Sequence, residues 1–225
     1  MIFLADSANP EAVRGLIDLF PIDGVTTNPT IVAREKCDFA RMLADMRAVI
    51  GPDRMLHAQT MQTEAAAMAR EALRLRDAVG GSFYVKIPAT PQGLKAIRLL
   101  KAEGMQVTAT AIFSTQQALL CARAGADFVA PYVNKLSDLC VDAVGVVGEI
   151  VKEFNTYGLP TKVLAASFRN VDQVNKMALM GSHAITLPVP FYNKLIAHPM
   201  TDLALEGFRQ DWQNVYGSKK PEDMI

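Results

Sequence analysis

The chain has 225 residues, half of them hydrophobic, which is enough to bury one large core in a single domain. Its 23 basic and 23 acidic residues cancel, and no run of like charge could follow a phosphodiester backbone or an anionic membrane surface, so we expect neither nucleic acid nor membrane as a partner. An acidic residue at position 6 leaves no room for a signal peptide, which predicts a cytoplasmic protein.

Eight short apolar runs alternate with longer amphipathic stretches, a pattern typical of βα units around a parallel sheet. Eight is also the number of strands that closes a (β/α)8 barrel, the fold class that we predict. The eight predicted strands are Ile2 to Ala5, Gly24 to Thr27, Met55 to Thr60, Phe83 to Pro88, Val107 to Phe113, Phe128 to Val133, Lys162 to Phe168 and Ala184 to Leu187.

Proline marks several predicted helix starts, as in the pairs Asn9-Pro10, Thr90-Pro91 and His198-Pro199. The last predicted helix, Met200 to Tyr216, is additional to a minimal barrel. We therefore expect one domain over residues 1–217, a barrel with a C-terminal helix, followed by a polar tail over residues 218–225 that frays.

Polar side chains at the carboxyl ends of the predicted strands mark the candidate site, because barrel enzymes place their catalytic residues there. The candidates in chain order are Asp6, Thr26, Asn28, Gln59, Lys86, Thr110, Tyr132, Lys135, Ser167 and Arg169. Neutral hydrogen-bonding groups around one amine and one acid suit a polyhydroxylated substrate, although each neutral residue alone is also typical of a satisfied core position.

Lys86 interrupts an apolar strand, and alternation along that strand predicts that its side chain points into the barrel. Burial lowers the pKa of an amine toward the neutral form that attacks carbonyls. Two interpretations stay open here: Lys86 is a nucleophile, or it is a buried lysine paired with a carboxylate such as Asp6. Asp6 is correspondingly either an ion-pair partner or a proton-transfer group.

Histidines and cysteines give no sign of a metal site. His57, His183 and His198 neither cluster nor match a ligand spacing, and we expect structural roles for them. The three cysteines lack a CxxC spacing, and no glycine-rich nucleotide-binding motif is present, so we expect no metal and no cofactor.

Six motifs in the same order resemble the small transaldolase family, and within it the fructose 6-phosphate aldolases, over nearly the whole chain. The motifs are GVTTNPT at 24–30, VKIP at 85–88, LLKAEG at 99–104, APYVN at 130–134, VLAASF at 163–168 and ITLP at 185–188. This resemblance implies a class I aldolase that cleaves or forms fructose 6-phosphate, or a close analogue, from dihydroxyacetone and glyceraldehyde 3-phosphate.

The resemblance also implies residue roles. Lys86 would form the Schiff base and Asp6 would assist proton transfer. Asn28 would help to position the donor hydroxyls, and Thr26 would belong to the same substrate-binding pocket. The catalytic water would be held by Gln59, Thr110 and Tyr132. Ser167 would hold the terminal phosphate. Gln59 and Tyr132 favour an aldolase, since transaldolases tend to carry Glu and Phe there. The family's pentamers stacked in pairs imply a homo-oligomer, with Phe208 and Trp212 as interface anchors on the last helix.

One departure from the family leaves the substrate open. Lys135 stands where the family usually has an arginine that clamps phosphate, and lysine lacks the planar fork for a bidentate grip. The anion would then depend on Ser167, Lys135 and Arg169. The alternatives are a transaldolase that transfers a dihydroxyacetone unit, for example from 6-deoxy-6-sulfofructose, and a barrel that binds sugar without catalysis.

Overall fold

A computed structural model describes residues 1–225 and contains a closed barrel of eight parallel strands in sequential order. The predicted (β/α)8 fold class is therefore confirmed. The strands are β1 (Ile2–Asp6), β2 (Gly24–Thr26), β3 (Met55–Gln59), β4 (Phe83–Pro88), β5 (Gln106–Ile112), β6 (Phe128–Pro131), β7 (Lys162–Ala165) and β8 (Ala184–Leu187).

Eleven α-helices accompany the strands. They are α1 (Pro10–Leu19), α2 (Pro29–Glu35), α3 (Phe39–Ile50), α4 (Ala65–Val79), α5 (Pro91–Ala102), α6 (Thr115–Arg123), α7 (Val133–Asp138), α8 (Ala143–Thr156), α9 (Val171–Leu179), α10 (Val189–Ile196) and α11 (Pro199–Tyr216). The predicted proline starts are correct, since Asn9, Thr90 and His198 each cap a helix whose first residue is proline.

Two strands end two or more residues earlier than predicted. The predicted run to Val133 stops at Pro131, because Val133 already belongs to α7. The predicted run to Phe168 stops at Ala165, and Ser167 adopts a left-handed backbone with a φ of 64° that no strand can continue. Val133 and Ser167 therefore belong to the segments that follow the carboxyl ends of β6 and β7.

The strand β5 contains an irregularity of its own. Its register against β6 shifts between Ala109 and Ile112, and Ala111 has a φ of 56°. Such a bulge redirects the side chains and backbone groups that follow it, and bulges are frequent near active sites.

The lower part of the barrel interior is apolar, with a buried cluster formed by Leu4, Phe128, Leu164 and Ala184. Side chains on one face of a strand recur every second residue. Asp6 and Thr186 are the next inward residues after Leu4 and Ala184, so polar groups lie directly above the apolar cluster, at the carboxyl ends of the strands.

The chain divides into two compact units, residues 1–189 and residues 190–225. The first contains the barrel. The second contains α11, whose exposed apolar side chains include Met200, Leu203 and Phe208, and a tail with a 3-10 turn at Pro221–Asp223. Trp212 Nε1 donates to the Lys219 carbonyl over 2.7 Å, which ties the start of the tail to the helix. The domain organisation expected from the sequence stays a prediction.

No helix combines the length and the apolar character needed to cross a membrane. The cytoplasmic location stays a prediction.

Candidate active site

Lys86 lies on β4 with its side chain inside the barrel and only 5% of its surface exposed. Its Nζ donates a hydrogen bond of 2.9 Å to the Thr27 carbonyl. Burial lowers the pKa of the amine, and the negative charge of Asp6 opposes this shift without cancelling it. The geometry thus holds an amine with a weakened preference for the ammonium form at the carboxyl end of the barrel.

Asp6 has partners of its own. Its Oδ1 accepts a hydrogen bond of 2.8 Å from Thr26 Oγ1, and the hydroxyls of Thr26 and Thr186 are 2.6 Å apart. Burial raises the pKa of the Asp6 carboxyl, while Lys86 and the Thr26 hydrogen bond lower it by less. Asp6 and Lys86 form no ion pair within 4.0 Å. The structure therefore does not support the interpretation of Lys86 as half of a closed ion pair.

A second hydrogen-bonded pair lies on the opposite wall, where Thr110 Oγ1 and the Tyr132 hydroxyl are 2.9 Å apart. Burial raises the Tyr132 pKa, the Thr110 hydrogen bond lowers it, and the Asp6 charge raises it again. The backbone of Ala111, in the bulge of β5, also lowers the Tyr132 pKa through hydrogen bonding. Tyr132 thus stays a neutral hydroxyl that can both donate and accept.

Gln59 ends β3 and is in register with Lys86. Its amide makes no hydrogen bond to the protein and is only partly buried, so both its oxygen and its nitrogen are available to a ligand or a water molecule.

Asn28 caps α2, with its Oδ1 accepting from the Ile31 amide over 3.1 Å. The cap fixes the side chain and leaves the Nδ2 hydrogens free to donate. Because Asn28 follows β2 directly, this donor stands beside Thr26 and near the Thr27 carbonyl that holds Lys86.

The three residues expected at the anion end of the substrate lie on two adjoining segments. Ser167 follows β7, and its carbonyl accepts a hydrogen bond of 2.7 Å from the backbone amide of Asn134. Asn134 lies in the first turn of α7 and directly precedes Lys135, so Ser167 adjoins the helix that carries Lys135. Lys135 and Arg169 are both exposed, and neither forms an ion pair within the protein. Two cationic side chains are thus free to meet an anion.

Two partners of the site residues received no role from the sequence. The Thr27 carbonyl is a main-chain group, which the residue type does not indicate. Thr186 is one of many threonines in the chain, and its residue type alone does not show that its hydroxyl contacts Thr26. Only the strand order, which places β8 next to β1, brings Thr186 to Asp6 through Thr26.

A closed (β/α)8 barrel with a desolvated lysine and a separate, partly buried carboxyl at the carboxyl ends of its strands has polar groups where barrel enzymes place their active sites. The chain belongs to the family described as "Transaldolase/Fructose-6-phosphate aldolase", which matches residues 3–220. It is 36% identical, over 97% of its own length and 99% of the relative's, to a probable fructose-6-phosphate aldolase of Streptococcus pneumoniae (strain ATCC 700669 / Spain 23F-1). The chain is therefore an enzyme of the aldolase and transaldolase type.

Solved structures with low identity share the fold alone. A thiamine phosphate pyrophosphorylase from Pyrococcus furiosus superposes with a TM-score of 0.60 at 16% identity, covering 96% of each chain. A structure described as native KDPGal gives a TM-score of 0.56 at 15% identity, covering 83% of this chain and 81% of that one.

Proposed function

We propose that the protein is an aldolase that cleaves or forms fructose 6-phosphate, or a close analogue, through a Schiff base on Lys86. The observation that carries the proposal is the Lys86 amine, which is buried, lowered in pKa and bonded only to the Thr27 carbonyl. An amine without a carboxylate clamp can attack a ketone at neutral pH, whereas a tightly paired ammonium cannot.

In the cleavage direction, the Lys86 nitrogen attacks the ketose C2 and water leaves, which gives an iminium ion. Asp6 then takes the proton of the C4 hydroxyl, whose O–H electron pair forms the aldehyde C=O. The C3–C4 bond breaks, its electron pair becomes the C2=C3 double bond, and the π electrons of the iminium move onto its nitrogen. The aldehyde departs and an enamine remains on Lys86. The raised pKa of Asp6 suits a group that must hold a proton between two steps.

Return of the enamine to free amine requires a proton at C3 and then water at C2. We assign both to a water molecule held by Tyr132, Thr110 and Gln59. The 2.9 Å bond between Thr110 and Tyr132 and the free amide of Gln59 support this assignment, because together they offer the donors and acceptors that an ordered water needs. Asn28 and Thr26 would position the donor hydroxyls.

The anion of the substrate would meet Ser167, Lys135 and Arg169. A phosphosugar agrees with the family, and the free charges of Lys135 and Arg169 support an anionic group at this end of the pocket. A lysine grips by charge alone, so a sulfonated sugar such as 6-deoxy-6-sulfofructose stays the alternative substrate, with transaldolase activity as the alternative reaction.

The test is steady-state kinetics on three ketoses, fructose 6-phosphate, its 6-sulfo analogue and free fructose, each with and without an acceptor aldehyde. The proposal expects the phosphosugar to give the highest kcat/KM and expects release of free dihydroxyacetone without an acceptor. Turnover that requires an acceptor would identify a transaldolase, and a preference for the sulfo analogue would identify the other substrate. Lys86→Met should abolish every one of these activities.

We also propose that α11 mediates self-association into a homo-oligomer. Several apolar side chains of this one helix are exposed, among them Met200 at 61%, Leu203 at 64% and Phe208 at 67%, and a group of exposed apolar side chains on one element supports a protein–protein surface. Trp212 is only partly exposed and already bonds to Lys219, so Phe208 carries more of this proposal than Trp212.

A further inference from the structure

A buried polar bridge lies directly below the proposed Schiff-base lysine. His57 Nδ1 and Thr108 Oγ1 are 2.9 Å apart, and both residues are 0% exposed. His57 is on β3 and Thr108 is on β5, the two strands that flank β4. Their hydrogen bond therefore crosses the inner face of the strand that carries Lys86.

The register fixes the height of this bridge. Lys86 is paired with Thr108 on one side and with Gln59 on the other, while His57 is paired with Tyr84, the inward residue below Lys86. The His57 ring stacks on the Tyr84 ring with a centroid distance of 4.5 Å and an interplanar angle of 7°. The bridge thus runs between the Tyr84 ring and the stem of Lys86.

Aromatic contacts hold the imidazole in place. The Phe128 ring meets His57 edge-on at 5.7 Å and Tyr84 at 5.5 Å. Burial and the neighbouring positive charge of Lys86 lower the His57 pKa to about 3, so the ring is neutral at any pH at which the enzyme would work. Its Nε2 is buried and has no partner in the protein, which costs free energy that a purely apolar floor would avoid.

We propose that His57 and Thr108 are positioning residues that support the stem of Lys86 and aim its Nζ at the substrate carbonyl. This inference rests on the proposed Schiff-base function. A lysine stem has four rotatable bonds, and a misplacement of about 1 Å at the attacking atom costs about 100-fold in rate. A rigid bridge below the stem excludes the Lys86 rotamers that would occupy the space of His57 and Thr108. The rotamer in which Nζ bonds to the Thr27 carbonyl remains.

The test measures how fast the lysine reacts, separately from how well it binds. The probe is acetylacetone, a diketone that forms a conjugated enamine with a neutral lysine and can be followed by near-ultraviolet absorbance. Thr108→Val removes the hydroxyl at almost constant volume, and Thr108→Ser keeps the hydroxyl as the matched control. We expect Thr108→Val to lower the limiting rate of adduct formation about tenfold with a half-saturating concentration changed less than about twofold, and Thr108→Ser to stay within about twofold of the wild type in both.

A double variant guards against misfolding. His57→Phe combined with Thr108→Val removes both polar groups together, keeps a ring to stack on Tyr84 and leaves no new unpaired polar atom, so it should fold at least as well as the wild type. The proposal expects this variant also to react about tenfold more slowly. A folded double variant that reacts at the wild-type rate, whatever its Tm, would overturn the positioning role. If the wild type itself forms no adduct on Lys86, the proposed function fails instead.

Discussion

Replacing Asp6 with asparagine tests the cost of ionising a carboxyl inside this barrel. Asparagine keeps the acceptor oxygen that Thr26 Oγ1 bonds over 2.8 Å and removes only the charge and the titratable proton. Burial raises the Asp6 pKa from its ordinary value of 3.8 despite the opposing effects of Lys86 and Thr26. The ionised carboxylate is therefore less stable in the fold than in the unfolded chain, and the asparagine variant should be more stable at neutral pH.

The pH range of this gain follows from linkage. In the folded chain Asp6 keeps its proton at pH values where the unfolded chain has already released it, so wild-type stability falls as pH rises from the unfolded pKa through the folded pKa. Single substitutions that stabilise a protein typically gain about 0.5–2 kcal/mol. We expect Asp6→Asn to gain an amount in this range at pH 7, which is about 1–8 °C in Tm for a chain of this length, and to gain nothing near pH 3.

The assay is urea unfolding of both proteins at matched concentration from pH 3 to pH 8, together with turnover of fructose 6-phosphate. Matched concentration matters because self-association would add to the apparent stability. The expected result is a stability difference that grows with pH while activity is lost. A variant less stable than the wild type at pH 7 would contradict this prediction, since it would mean that the attraction of Lys86 for the Asp6 carboxylate outweighs the cost of burying that charge.

Three further predictions concern the water, the anion and the oligomer. Tyr132→Phe keeps the ring and removes the hydroxyl that contacts Thr110. In parallel assays, the rate of release of free dihydroxyacetone should fall by about 10-fold or more, while the rate of transfer to an acceptor aldehyde falls less. Equal loss of both rates would mean that Tyr132 acts before the two pathways separate. Lys135→Ala should lower kcat/KM for a phosphosugar by a factor that corresponds to about 1.5–3 kcal/mol, and Lys135→Arg should keep or raise it. The kcat/KM for free fructose should not change in either variant. If kcat/KM for the phosphosugar and the sulfo analogue also stays unchanged, Lys135 is excluded from the anion site. Phe208→Ser should shift the sedimentation coefficient toward a smaller species at micromolar concentration, whereas a wild-type protein that is already monomeric would contradict the proposed role of α11.

Strand alternation was enough to predict that the Lys86 side chain lies inside the barrel. Successive side chains of a strand point to opposite faces of the sheet. If Val85 and Ile87 face the surrounding helices, Lys86 between them must face the barrel interior. Lys86, Asp6 and Thr110 needed only a correct count of strands to be brought to one end of the barrel.

The parts that could not be predicted depend on contacts between distant strands. His57 and Thr108 are 51 residues apart, and their hydrogen bond exists because the register of β3, β4 and β5 aligns them. The early end of β7 has a similar cause. A left-handed backbone is unfavourable for Ser167, and tertiary contacts such as the bond from the Asn134 amide to its carbonyl hold it there, so no local pattern announces it.

The most direct test of the central claim is to trap the covalent intermediate and find the residue that carries it. The wild type and Lys86→Met are incubated with dihydroxyacetone, reduced with borohydride, digested and analysed by tandem mass spectrometry. We expect one modified site, Lys86, in the wild type and no modified lysine in Lys86→Met. Modification of another lysine in both proteins, with Lys86 unmodified in the wild type, would contradict the Schiff-base assignment on which the proposed mechanism depends.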